Sequence, residues 1–242
     1  IIFINRNGLR WCDAPKEYGP AKTLYNRWKR WGDMGVFARM MEGLASVAAV
    51  PKTVMIDATC LKAHRTASSL GLKKGGGGRL IGRTKGGMNT KLHAVTPSRG
   101  LRANHCRAVD ENGRPIHFFM TAGEISDYTG AAALVGSLPA AEWLLGPSHG
   151  LQANRCRATD RGYDADWSKD ALKDKGIKPY IPGRRSRSKP VKYDKRRSKR
   201  RNRIEIMFGR LKAWRRVATR YDRCPKVFLS AVAPAATVLF WL

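Results

Sequence analysis

Three carboxylates stand apart from their surroundings. Asp57 interrupts the β-branched and apolar run from Thr53 to Leu61, and Asp160 precedes an Arg-Gly-Tyr turn. Glu205 shares residues 184–223 with just two other acids, Asp194 and Asp222, against eighteen Lys and Arg. Carboxylate oxygens are hard ligands of the kind Mg²⁺ takes. Taken singly, each residue also has an ordinary reading: Asp160 as a turn residue, and Glu205 as the partner of Arg201 in an exposed ion pair worth ~0.3 to 0.5 kcal/mol. On a helix, steps of four and seven residues nearly close whole turns, so Arg201, Glu205 and Lys212 lie within about 60° of one another. The ion-pair reading accounts for Arg201 and Glu205 but gives the surrounding positive charge no purpose.

Several elements must position these groups. The run Thr53–Leu61 reads as a buried strand, residues 90–96 and 115–121 as two more strands, and 127–138 as a helix, a pattern that argues for an α/β domain. Asp164 reads as the N-cap of a helical run closing at Gly176. Ile204, Met207, Leu211, Trp214 and Ala218 form the apolar stripe of one amphipathic helix. Near the start, residues 21–31 carry Leu24, Trp28 and Trp31 at helical spacing, with Lys22, Arg27, Lys29 and Arg30 between them. Gly32 and Gly35 are expected to break that helix, and a second runs from Val36 to Val47. The pair reads either as a helix-turn-helix entering a DNA groove or as two packing helices with a solvated basic face.

Residues 73–87 read as a flexible, basic, Gly-rich loop without the pattern of a nucleotide-binding P-loop. A segment at 97–109 is nearly repeated at 147–159, each copy followed at once by an aspartate. Two copies make no solenoid. His105, Cys106, His149 and Cys156 lack zinc-site spacing, so both copies read as inserted loops.

Forty-seven Lys and Arg against eighteen Asp and Glu leave a formal charge of +29. A polyanion is the expected partner, nucleic acid first, while 43% hydrophobic residues exclude a wholly disordered tail. Five scattered cysteines without a Cys-x-x-Cys pair suit a reducing cytoplasm. The apolar stretch 227–242 contains Pro234 and is shorter than the ~20 residues of a membrane span, so it reads as a terminal core helix. The chain opens at Ile1 without Met, which suggests a fragment or the second product of a split reading frame.

These residues resemble bacterial insertion-sequence transposases of the DDE type, in the branch with a Y-(2)-R-(3)-E-(6)-K signature. Arg201, Glu205 and Lys212 match that spacing, with Ser198 at the Tyr position. The similarity extends through YGPAKTLYNRW, the strand around VMIDAT, TKLHAV, DRGYDADW and MFGRLKAWRRVATRYDR.

The resemblance implies an RNase H-like mixed sheet flanked by helices over 51–242, preceded by a partial, small helical segment over 1–50 that is a candidate for DNA binding. It implies a catalytic, metal-holding triad of Asp57, Asp160 and Glu205 with Mg²⁺, or Mn²⁺ in its place. Arg201 and Lys212 would steady the DNA backbone or strand end. Arg196, Arg197, Lys199 and Arg200 would track phosphates, and Arg27, Lys29 and Arg30 would contact DNA from the leading helices. The implied partner is DNA, especially the terminal inverted repeats of the element, met by a homodimer in the bacterial cytoplasm at the nucleoid. Two alternatives stand beside this reading: an inactive transposase remnant, and a non-catalytic basic DNA-binding protein.

Overall fold

Along Thr53–Leu61 the side chains alternate between two apolar environments, as a strand covered on both faces requires. The computed structural model, which describes residues 1–46, 53–69, 77–98, 114–146, 166–180 and 202–242, places that strand at the centre of a mixed sheet. In chain order the principal elements are α1 (Ile2–Asn7), α2 (Ala21–Asp33), α3 (Val36–Ser46), β1 (Thr53–Ala63), α4 (Arg65–Ser68), β2 (Gly82–Thr84), β3 (Gly87–Ser98) and β4 (His117–Ala122). They continue with α5 (Asp127–Ser137), β5 (Trp143–Leu145), α6 (Asp166–Asp174), β6 (Lys178–Tyr180), α7 (Asn202–Lys212), α8 (Arg215–Ala218), β7 (Thr219–Arg220) and α9 (Pro225–Phe240).

On one side of β1 the pairing is antiparallel: β1 runs against β3 from Thr53↔Ser98 to Lys62↔Asn89, and β3 runs against both β4 and β2. On the other side it is parallel: β5 joins β1 at Val54↔Leu144, and β6 joins β5 at Leu144↔Pro179. The short β7 extends this parallel side at Lys62↔Thr219.

Two apolar layers hold the sheet. Met55 and Leu61 of β1 pack with Leu92, Phe118 and Met120 beneath α7 and α9. Val54 and Ile56 point the other way and pack with Val95, Leu134, Leu144 and Leu172 beneath α5 and α6. The leading helices join the first side, for Trp28 of α2 is fully buried against Val227 and Ala231 of α9.

Several sequence expectations need correction. The first helix passes through Gly32 to Asp33, because Gly32 lies flat on α9, where a Cβ would come within 2.9 Å of Ser230 Oγ. The break falls at Gly35, whose φ of +67° belongs to the left-handed region that glycine enters without strain. The helix expected over 204–218 is two helices. The chain turns at Ala213 and Trp214, after which α8 leads into β7, and Val217 is fully buried while Ala218 is half-buried. The described part of the basic loop has regular structure: residues 77–79 form a 3-10 turn, and β2 and β3 form a hairpin whose Gly87 has φ +96°. Pro97 and Ser98, at the head of the first repeat, pair with Val54 and Thr53. The remainder of that repeat, all of 147–159 and Asp164 lie outside the described residues. The terminal helix forms as expected, with Pro234 buried inside it.

Candidate active site

Asp57 sits mid-strand in β1, opposite Ala94 of β3. Alternation puts residues 55, 57, 59 and 61 on the side covered by α7 and α9. Asp57 is half-buried, and its Oδ1 accepts a 2.8 Å hydrogen bond from the backbone N–H of Ala58. A polar side chain is tolerated here because the apolar cover over β1 opens between Met55 and Leu61, where residues 57–60 are only half-buried.

Glu205 is exposed in the first turn of α7, the helix whose Ile204, Met207, Phe208 and Leu211 fill the core over β1. Lys212 closes the same helix about two turns later. Its Nζ donates to Thr59 Oγ1 at 2.6 Å, a link across 153 residues of chain. Thr59 lies two residues beyond Asp57 on the same face of β1, so the ammonium of Lys212 is fixed on the side of the sheet that carries Asp57. Sequence reading overlooked Thr59. Its place in Asp57-Ala58-Thr59, at the strand period of two, was the available signal.

Asp57, Glu205 and Lys212 are thus carried by two elements packed against each other. Asp160, Arg201, Ser198 and the run Arg196, Arg197, Lys199 and Arg200 lie outside the described residues, as do His105, Cys106, His149 and Cys156. Among the described residues no cluster of three or more His, Cys, Asp or Glu could by itself hold a metal ion. Lys29 and Arg30 are exposed on α2, and Arg27 lays its guanidinium over the Trp31 ring, 5.8 Å from the centroid. Arg27 also borders an apolar cavity of about 520 Å³ between α1, α2 and α9. No Asp or Glu side chain lines that cavity.

Two titratable groups lie away from this site. His93 is fully buried on the opposite face of the sheet, with Nε2 2.9 Å from Thr121 Oγ1, and burial followed by the charge of Lys91 pushes its pKa down to about 4. Arg220 is fully buried and hydrogen-bonded to Thr90 Oγ1 and to the carbonyls of Leu80, Asp222 and Arg223. Both are structural features of the core.

Two family profiles match the chain: "Transposase DDE domain" over residues 158–242, and "Putative transposase of IS4/5 family" over residues 1–41. Residues 158–242 are thus similar to a transposase DDE domain and residues 1–41 to transposases of the IS4/5 family. The two matched segments meet in the structure where Trp28 packs on α9, and the second match contains Asp160, Glu205 and Lys212. A protein of Sinorhizobium fredii, "Uncharacterized protein y4sN", is 35% identical over 80 residues, covering 33% of this chain and 62% of the relative. The "Putative transposase for insertion sequence element IS402" of Burkholderia cepacia is 32% identical over 108 residues, covering 45% of this chain and 48% of the relative. The aligned chain therefore spans less than two thirds of either relative's length. Among the described residues no helix is long and apolar enough to cross a membrane.

Proposed function

We propose that this protein is a metal-dependent DNA transposase that cuts DNA at the ends of its insertion element and joins those ends to a target. The observation that carries the proposal is the placement of Asp57 at the centre of β1 beneath α7, the helix that bears Glu205 and is tied to Thr59 through Lys212. An RNase H-like identity for the sheet is supported by its order, β4-β3-β1-β5-β6, antiparallel up to β1 and parallel beyond it. Residues 51–242 would form that catalytic domain, with 97–109 and 147–159 as insertions and 1–50 as a leading DNA-contacting segment.

Asp57 and Glu205 supply hard oxygen donors and no sulfur, a set that suits Mg²⁺ or Mn²⁺. Asp160 would complete the set. A pair of such ions, when bound, activates an oxygen nucleophile and relieves charge on both the attacking and leaving oxygens of an in-line phosphoryl displacement. The residues of the chain supply the rest. Asp57 and Glu205 hold the site's negative charge on rigid elements, and Lys212, anchored at Thr59, offers an ammonium to a phosphate of the strand being cut. Arg201 adds a planar donor suited to phosphate. The run Arg196, Arg197, Lys199 and Arg200 holds the backbone, and Arg27, Lys29 and Arg30 contact duplex from the leading helices. Water serves as the nucleophile for the first cut and a DNA 3′-hydroxyl for joining. The proposed substrate is the element's terminal inverted repeats, bound by a homodimer at the bacterial nucleoid in the cytoplasm.

The test uses duplex carrying the element's ends, with Mg²⁺. Asp57→Asn, Asp160→Asn and Glu205→Gln should each slow nicking by roughly 100-fold or more while DNA affinity stays near that of the parent chain. Near-normal cleavage by any one variant removes that residue from the triad. A parent chain that binds but never nicks this DNA supports a non-catalytic DNA-binding protein or an inactive remnant instead.

A further inference from the structure

Beyond β1 the chain makes a single turn of helix, α4, where four guanidinium groups gather. Arg65 lies in the turn. Arg79 Nη1 donates to the carbonyl of Ser69 at 3.1 Å, and Arg223 Nε donates to the carbonyl of Thr66 at 3.1 Å. Beneath them lies the fourth, the buried Arg220, whose backbone carbonyl accepts from the His64 N–H at 2.9 Å. Burial, opposed by Asp222 and Cys224 and reinforced by the positive charge of Arg79, pushes the Arg220 pKa down to about 10. The acid beside this group is Asp222. It is largely buried, burial pushes its carboxyl pKa up, and its Oδ1 lies 3.8 Å from Arg216 Nη1.

Among the described residues, the exposed charge at this turn is positive. Arg65, Arg223 and the neighbouring Lys62 are exposed, and none of them pairs with a carboxylate among the described residues. The turn is also pinned from two directions: Thr66 N–H donates to His64 Nδ1, and the Tyr221 ring packs on the His64 ring at 4.8 Å. Crowding cations onto a rigid knuckle is unfavourable without an anion, and exposed guanidinium groups match phosphate oxygens in geometry and charge.

We propose that the Arg65 and Arg223 knuckle is a second DNA-backbone contact, beyond the end of β1 and apart from Asp57. The inference rests on the transposase reading. Arg65 lies eight residues along the chain from Asp57, which at ~3.3 Å per residue is about 26 Å. At ~3.4 Å per base pair, that places the gripped phosphates roughly seven to eight base pairs from the cut bond on a duplex lying along β1. The knuckle would fix the direction in which the element's end leaves the site.

The experiment compares the parent chain with Arg65→Ala and Arg65→Ala/Arg223→Ala on duplex carrying the element's end. The readouts are affinity from 50 to 200 mM salt and protection of the backbone by hydroxyl-radical footprinting. The slope of log affinity against log salt should become shallower by about 0.9 for the single variant and about 1.8 for the double, since each arginine neutralises one phosphate. Protection about seven to eight base pairs from the cut should disappear while protection at the cut persists. An unchanged slope and footprint in a folded double variant overturns the inference and leaves the transposase reading standing. A parent chain without salt-dependent DNA binding overturns both. If the double variant fails to fold, Arg65→Ala decides alone, because among the described residues the Arg65 side chain supports no other element by a hydrogen bond. An acidic peptide that displaces nothing from the parent's DNA complex yet binds the knuckle, and loses that binding in Arg65→Ala, would overturn the inference and reassign the surface to a protein partner.

Discussion

Replacing Thr59 with Val keeps a β-branched side chain of nearly the same volume in β1 and removes the hydroxyl that accepts from Lys212 Nζ at 2.6 Å. A hydrogen bond to a charged group is worth about 1.5 to 3 kcal/mol. Thr59 and Lys212 are both half-buried, so a released ammonium recovers part of its hydration, and we expect a net loss of about 1 to 2 kcal/mol. In a protein of this size each kcal/mol moves the midpoint of thermal unfolding by ~2 to 4 °C, giving a fall of roughly 2 to 8 °C. Thr59→Ser, which keeps the acceptor, should fall by less. The deciding assay is a double-mutant cycle with Lys212→Met, read by denaturant unfolding. If Thr59 matters through Lys212, Thr59→Val costs little once Lys212 is gone and the coupling approaches 1 kcal/mol. A coupling below ~0.3 kcal/mol, the level at which independent sites simply add, refutes the link between β1 and α7.

Two further outcomes follow. Replacing Arg196, Arg197, Lys199 and Arg200 by Gln should flatten the salt dependence of DNA affinity by ~0.9 for every phosphate left without its cation, and an unchanged slope would show that this run faces away from DNA. His93 is held neutral in the folded chain, with its pKa pushed down to about 4 against ~6.5 when unfolded. Between these values the unfolded chain binds more protons. Stability should therefore fall as pH drops from about 6.5 to 4, by roughly 3 kcal/mol from this residue, and chemical denaturation of His93→Asn across that range should show a flatter profile.

Long elements with a clear period were legible in the sequence. β1, β3, β4, α5 and α9 lie where alternation or helical spacing put them, because each repeats its signal over six or more residues. β5 and β6 are three residues each and take their pairing from neighbours supplied by distant chain, so little in their own sequence marks them. The apolar stripe through Trp214 and Ala218 matched one long helix equally well, and packing of α8 beside α1 decided for a break. Asp57 announced itself as a carboxylate in an apolar strand, but its relation to Glu205, 148 positions later, came from family resemblance and required the fold to give it a place. Thr59 escaped notice because its partner is as distant as Glu205 and a threonine in a strand is unremarkable.

The seam between Trp28 and α9 also sets a timetable for synthesis. Trp28 becomes dry only when Val227 and Ala231 reach it, and those residues leave the ribosome some two hundred codons later. At ~5 to 20 residues per second the wait is about 10 to 40 s. Through that interval the nascent chain displays the cluster of Trp11, Trp28 and Phe37 without its cover, in reach of chaperones and proteases. The window closes when α9 is made and lies down on α2.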